Sequence, residues 1–346
     1  MEFLSDYGLF LAKTATFVVA ALLIIGMLAS LGSRRRDHDG HIEVTALNDR
    51  FEDWEEQIKS VVLDEASFKQ ERKAAQKKAK AERKAKKKSG EDEQPKPRLF
   101  VLDFDGDVKA SDVEHLRHEI SAVLTLAKNS DEVLVRLESA GGMVHSYGLA
   151  ASQLARIRSH GIPLTVAVDR VAASGGYMMA CIANTILAAP FAILGSIGVI
   201  AQLPNFHRLL KQHNVDFEMH TAGDYKRTLT VFGENTEEGR DKFREELEET
   251  HVLFKQFVAE NRPQVNIEKV ATGEVWYGTQ ALDENLVDVI STSDEYILQK
   301  CTACDLFEVK YVARKTLAEK VGVAAHGALD TVLGKWISRL SQRPLV

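Results

Sequence analysis

Two short glycine-rich segments hold residues whose types and spacing could do chemistry: Ser139-Ala140-Gly141-Gly142 and Ser174-Gly175-Gly176-Tyr177. Each follows an apolar run and precedes a helical pattern. Each would therefore set backbone N–H groups at a helix start, where they stabilise negative charge. Glycines also serve plain tight turns, but the serine that opens the second segment adds a nucleophile. A serine hydroxyl at neutral pH needs a base. Histidine is the usual one, yet none of the eleven stands in a triad context. There is no G-x-S-x-G elbow, because the serine precedes its glycines. The remaining base is a lysine, which acts only when deprotonated, so the reference pKa of about 10.4 must be lowered by burial. Lys226, in TAGDYKRTL after a short apolar segment and a glycine turn, is a candidate. Spacing alone does not single it out.

The surrounding elements would hold these groups at one sheet edge. LFVLDFDG (99–106), EVLVRLES (132–139) and PLTVAV (163–168) read as strands, separated by helical patterns over 111–127 and 144–159. Strands alternating with helices at this spacing predict βαβ units and a mainly parallel sheet, with ligands at its carboxyl edge. Apolar segments at Thr185–Ala188, Ser196–Ile200 and Val215–His220 continue the strand pattern, and Thr236 to Asn261 reads as a long amphipathic helix. Tyr177 to Leu203 is apolar enough for a membrane span. Asn184, Pro190, Gly195 and Gly198 interrupt it, so it reads as buried α/β core.

The N-terminal third has a different texture. From Thr14 to Leu31 the chain is almost wholly apolar, enough to nearly cross a hydrocarbon layer of roughly 30 Å. Basic residues follow this run instead of preceding it, which argues for an uncleaved anchor over a signal peptide. Leu47, Phe51, Trp54, Ile58, Val61 and Val62 then recur at helical spacing, as an interfacial or partner-seeking face. Glu71 to Ser89 carries ten Lys/Arg and two Glu, a solvated spacer that could also meet anionic headgroups. The domain reading is 1–33 membrane anchor, 34–97 charged helix and Lys-rich linker, 98–300 catalytic domain, and 301–346 amphipathic tail. Cys181 reads as a buried hydrophobe. Cys301 and Cys304 read as a surface pair without a second ligand pair at zinc spacing. No metal or other cofactor is expected, and the net charge of −6 averages over unequal segments without pointing to nucleic acid.

Five motifs at matching spacing carry a resemblance. Ala173-Ser174-Gly175-Gly176-Tyr177, Ser139-Ala140-Gly141-Gly142, Gly195-Ser196-Ile197-Gly198-Val199 and Tyr225-Lys226 are four of them. The fifth is Gly273-x-x-Trp276-x-Gly278-x-x-Ala281 through Leu286-Val287-Asp288. Over about 97–300 the chain resembles the signal peptide peptidase A family of serine peptidases. The resemblance implies a ClpP/crotonase-like α/β fold of repeated ββα units and a Ser–Lys dyad. Ser174 matches the nucleophile and Lys226 the general base. Ser196 matches the serine that positions the lysine, and the Gly142 and Gly175 amides match the oxyanion hole. Ala140 departs from the family, which usually has proline there, and RTLTVFG lacks a proline often found after the lysine. The resemblance further implies peptide substrates with small or apolar residues near the cut, such as signal-peptide remnants, and assembly into a homo-oligomer. A non-catalytic membrane scaffold on a peptidase fold is the competing reading. Arg34-Arg35-Arg36 favours a cytoplasmic catalytic domain, whereas the resemblance suggests the outer side.

Overall fold

The computed structural model describes residues 40–74 and 96–313, with isolated positions among 8–17 and at 77 and 81. Most of the expected anchor, most of the basic run and the tail beyond 313 lie outside the described residues. Among the described residues no helix is long and apolar enough to cross a membrane. Residues 42–311 form one compact unit, and the termini 1–41 and 312–346 fall outside it.

In chain order the elements are β1 (His41–Ala46), α1 (Leu47–Val62), β2 (Arg98–Gly106), α2 (Val113–Leu124), β3 (Glu132–Ser139), α3 (Val144–Ser159), β4 (Leu164–Val168), β5 (Val171–Ala173) and α4 (Gly175–Ala180). There follow β6 (Thr185–Ala188), β7 (Ile193–Gly195), α5 (His207–Gln212), α6 (Glu237–Asn261), α7 (Ile267–Val270), β8 (Val275–Tyr277), α8 (Gly278–Asp283), β9 (Val289–Ile290), α9 (Ser293–Lys300) and β10 (Asp305–Val312). The main sheet runs β1-β10-β2-β3-β4-β6-β9, parallel from β10 to β9. A branch leaves it at the end of β3, where Ser139 pairs with Ala172 of β5. β5 takes β7 in parallel, and β7 takes β8 antiparallel. The fold is thus α/β with a mostly parallel sheet, as the alternating pattern predicts.

β2 shows why the strands read as unbroken apolar runs. Phe100, Leu102 and Phe104 enter the larger core with residues of α2 and α3, while Leu99 and Val101 enter a second cluster with Leu47 of α1 and Ile297 of α9. A strand covered on both faces has no reason to alternate. The sequence-based domain limits change in two places. β10, assigned to the tail beyond 301, lies in the sheet between β1 and β2. The helix assigned to the linker packs on the second core, with Leu47 fully buried. Two expected strands do not form. β7 ends at Gly195, and positive φ at Gly195 and Ser196 turns the chain out of the sheet before Ile200. Val215–His220 alternates apolar residues but finds no neighbouring strand, and Val215, Phe217 and Met219 stay about half exposed. Cys301 and Cys304 are free thiols at a packed turn, not a surface pair. Cys304 is buried, and the Asn48 amide donates to both backbone carbonyls. Cys181 is buried, which pushes its thiol pKa up to about 12.

Two buried charges make the fold testable. Arg262 is 2% exposed and forks onto Asp288 with two bonds of 2.8 Å, adding one to the Asn285 carbonyl. Asp288 also accepts the Ile186 N–H, so β6, α6 and the 285–288 turn share one ion pair. Arg262→Ala strands that carboxylate and is expected to cost about 3–5 kcal/mol in urea unfolding. A loss under about 1 kcal/mol would contradict the account.

Glu119 of α2 is 5% exposed. One of its oxygens accepts the Tyr311 N–H, and Oε2 has no partner among the described residues. Burial raises its pKa from 4.5 to about 7, helped by Asp112 and Asp103 and opposed by the Tyr311 amide and His115. The folded chain keeps a proton that the unfolded chain has released, so stability falls as pH rises from 4.5 to about 7 and then levels off. Glu119→Gln, which mimics the protonated form, should flatten that fall in urea midpoints taken either side of this window. An unchanged slope would assign it to another group.

Candidate active site

Ser174 stands at the corner between β5 and α4 with φ 52 and ψ −117. Such a conformation costs a non-glycine residue on the order of 1–3 kcal/mol and persists only where the surroundings impose it. Here the Ser174 N–H donates to the Gly195 carbonyl at 2.8 Å, in the register that pairs Ala173 with Gly195. The Ser174 carbonyl accepts from Met178 at 2.9 Å. Both backbone groups are thereby committed. The hydroxyl, half-buried, has no hydrogen-bond partner among the described residues.

The turn after β3 lies directly against this corner. Gly141 has φ +90, and a Cβ there would sit 2.8 Å from the Ala173 carbonyl, the Gly175 nitrogen and the Ser174 Cβ alike. Gly142 leans on the Val108 carbonyl so closely that any side chain would collide, and Met143 N–H bonds that same carbonyl at 2.8 Å. The Gly142 and Gly175 amides have no acceptor among the described residues. The Ser174 hydroxyl and the Gly175 amide thus share a corner on which the Gly141–Gly142 turn packs, and a hydroxyl beside free backbone donors can attack a carbonyl and receive the negative charge that develops on its oxygen.

Lys226 is placed differently. It lies in the exposed segment 221–227, its N–H bonded to the Gly223 carbonyl, and its ammonium makes no hydrogen bond or ion pair among the described residues. It lines an open cleft of about 500 Å³ with Leu203, Phe217, Met219 and Phe232. Ser196 follows Gly195 at the corner, but its hydroxyl donates to the Gly273 carbonyl at 3.5 Å and its N–H to the Glu274 carbonyl at 2.7 Å. No hydrogen bond joins Lys226 to Ser174 or Ser196. The folded chain therefore gathers Ser174, Gly175, the Gly141–Gly142 turn and the Ser196 turn, and leaves Lys226 on a separate exposed wall. Sequence reasoning missed Tyr147, a buried phenol on α3 that touches both glycine turns. Its only signal was a polar-tipped aromatic on an apolar helix face five residues after Gly142.

The fold and the site define the class as an α/β protein with a glycine-flanked serine at the carboxyl edge of a mostly parallel sheet, where such sheets hold their ligands. Within that class the chain belongs to peptidase family S49: the N-terminal model of the family matches residues 2–154 and the family's main model residues 156–306. The "Probable protease SohB" of Haemophilus influenzae is 49% identical over 99% of this chain and 98% of its own length. The protein of the same description from Buchnera aphidicola subsp. Acyrthosiphon pisum is 48% identical over 96% and 97%. "Protease 4" of Salmonella typhi is 26% identical over 70% of this chain and 38% of that protein. Among solved structures, a 1510-N membrane-bound stomatin-specific protease matches 64% of this chain and 99% of its own, with 13% identity and a TM-score of 0.43.

Proposed function

We propose that the chain is a membrane-anchored serine endopeptidase with Ser174 as nucleophile and Lys226 as general base. The observation that carries this reading is the unbonded Ser174 hydroxyl held at a strained corner beside the free Gly142 and Gly175 amides. Lys226 takes the proton as Ser174 attacks the scissile carbonyl. The tetrahedral oxyanion rests on the two glycine amides. Protonated Lys226 then gives its proton to the leaving amine, and water releases the acyl group. Ser196 steadies the lysine once Lys226 swings onto the corner.

That swing accompanies filling of the cleft. Leu203, Phe217, Met219 and Phe232 make it an apolar groove for an extended peptide, which excludes water from the amine at its wall. Exposed Ile200 and Leu209 give a second copy of the chain a surface to cover, so a homo-oligomer is part of the reading. Substrates are peptides with small or apolar residues near the cut, such as signal-peptide remnants or fragments of membrane and exported proteins. The 1–33 anchor places the enzyme in a bacterial-type inner membrane among its lipids, and a reporter fusion after Gln94 decides the side.

The detergent-solubilised chain should cleave casein and take up one fluorophosphonate per chain, with the adduct mapped to Ser174. An adduct on another residue would reassign the nucleophile. Absence of both labelling and cleavage would favour the scaffold reading.

A further inference from the structure

Behind the Ala140–Gly142 turn lies a pair of buried hydroxyls that the reaction steps above do not use. Tyr147 is fully buried and Ser139 is 2% exposed. The Tyr147 hydroxyl donates to the Asp107 carbonyl at 2.7 Å, and Ser139 Oγ lies 2.5 Å from the phenol oxygen. A phenol has one proton, and the Asp107 carbonyl can only accept it, so with Tyr147 committed there the Ser139 proton goes to the phenol oxygen at 2.5 Å in preference to the Gly106 carbonyl at 3.3 Å. Ser139 Oγ in turn accepts the Gly141 N–H at 3.0 Å. One directed chain results, from Gly141 N–H through Ser139 and Tyr147 to Asp107 C=O, each bond polarising the next. Burial raises the phenol pKa above its ordinary value, so the group stays a donor at neutral pH.

The other end of the same side chain bears on the nucleophile corner. A Cβ on Gly175 would run into the Tyr147 ring, meeting Cδ2 at 2.7 Å as well as Cγ. A Cβ on Gly176 would lie 2.5 Å from the Ser139 carbonyl. Gly106 leaves room for the hydroxyl pair: a Cβ there would sit 2.5 Å from both oxygens. Tyr147 therefore supports Gly175 with its ring and, through Ser139, fixes the amide that orients Gly142.

We infer that Tyr147, acting through Ser139, is a positioning residue that holds the Gly142 and Gly175 amides at the spacing an oxyanion needs. The inference rests on the Ser174 reaction proposed above. Its test is a kinetic comparison of the full-length, detergent-solubilised wild type with Tyr147→Phe, Ser139→Ala and the double variant. Each is assayed with a fluorogenic peptide and with a peptide aldehyde, whose adduct on a serine carries the tetrahedral oxygen. Misplaced donors should lower kcat about tenfold or more in each single variant, with KM within about twofold. Aldehyde affinity should weaken in step with kcat/KM. The double variant should lose no more than the worse single one, because both substitutions cut one chain. A Tyr147→Phe kcat within about twofold of wild type would overturn the inference. So would unchanged aldehyde affinity, or losses that multiply. Should Tyr147→Phe unfold at the assay temperature, Ser139→Ala, which deletes a single oxygen, carries the same comparison. Ser174→Ala runs beside them. If it is active, the nucleophile assignment fails; if it is dead while Tyr147→Phe is undiminished, only the positioning role fails.

Discussion

Ser174→Ala is expected to lower kcat for peptide cleavage by on the order of 10⁴- to 10⁶-fold, and Lys226→Met to fall in the same range. The two losses should not add, because a nucleophile without its base and a base without its nucleophile disable the same step. Each is folding-neutral on structural grounds. The Ser174 hydroxyl makes no bond within the chain, and its backbone contacts to Gly195 and Met178 do not depend on it. Alanine keeps the Cβ that already meets Gly141. Lys226 is exposed, so methionine there removes an amine and no packing. Single-turnover assays with matched thermal melts separate chemistry from folding. Full activity in Lys226→Met would remove the lysine from the mechanism and leave Ser174 in need of another base. Full activity in Ser174→Ala would overturn the site itself.

Gly141→Ala should cost about 10²- to 10³-fold in kcat although it changes neither a nucleophile nor a base. Its φ of +90 already disfavours a side chain, and the added methyl would press at 2.8 Å on two backbone atoms and the Ser174 Cβ. None of these is the free end of a flexible chain, so the turn or the corner must move. Either movement misdirects the Gly142 or Gly175 amide, and losing one oxyanion donor raises a barrier by about 2.7–4 kcal/mol. Gly161→Ala is the control for left-handed backbone strain alone. Gly161 has φ +72 just past α3, where the nearest atoms to a Cβ belong to the Asn129 side chain, at 3.4 Å or more. That variant should lose about 1–2 kcal/mol of stability and keep its kcat. Equal kcat losses in both would mean that strain, not donor geometry, sets the rate.

The elements that carried these glycines were legible because their signals are local. A strand covered on both faces is an apolar run, an amphipathic helix repeats every three to four residues, and a glycine before a helix announces a turn. On those grounds 99–106, 132–139 and 144–159 were read close to the observed β2, β3 and α3. Val215–His220 misled because alternation marks only a residue set fit for a sheet edge, and no strand arrived to pair with it. β10 was hidden for the converse reason: DLFEVKYV carries four charged or polar positions, two of which the sheet satisfies from other strands. Glu308 pairs with Arg136 of β3, and Lys310 with Asp103 of β2.

The sequence by itself determined the chemistry available: a serine beside two glycines, a second glycine turn, a lysine in a third segment, and an α/β alternation to carry them. Membership of family S49 was also legible there, since its motifs are contiguous strings. Only the tertiary structure decided which of these groups meet. It set Gly141 against Ser174 through the Ser139–Ala172 register and tied Tyr147 to both turns. It also left Lys226 on an exposed wall. Local patterns fix backbone period and turn type, whereas contacts between segments far apart in the chain depend on how all the buried faces pack at once.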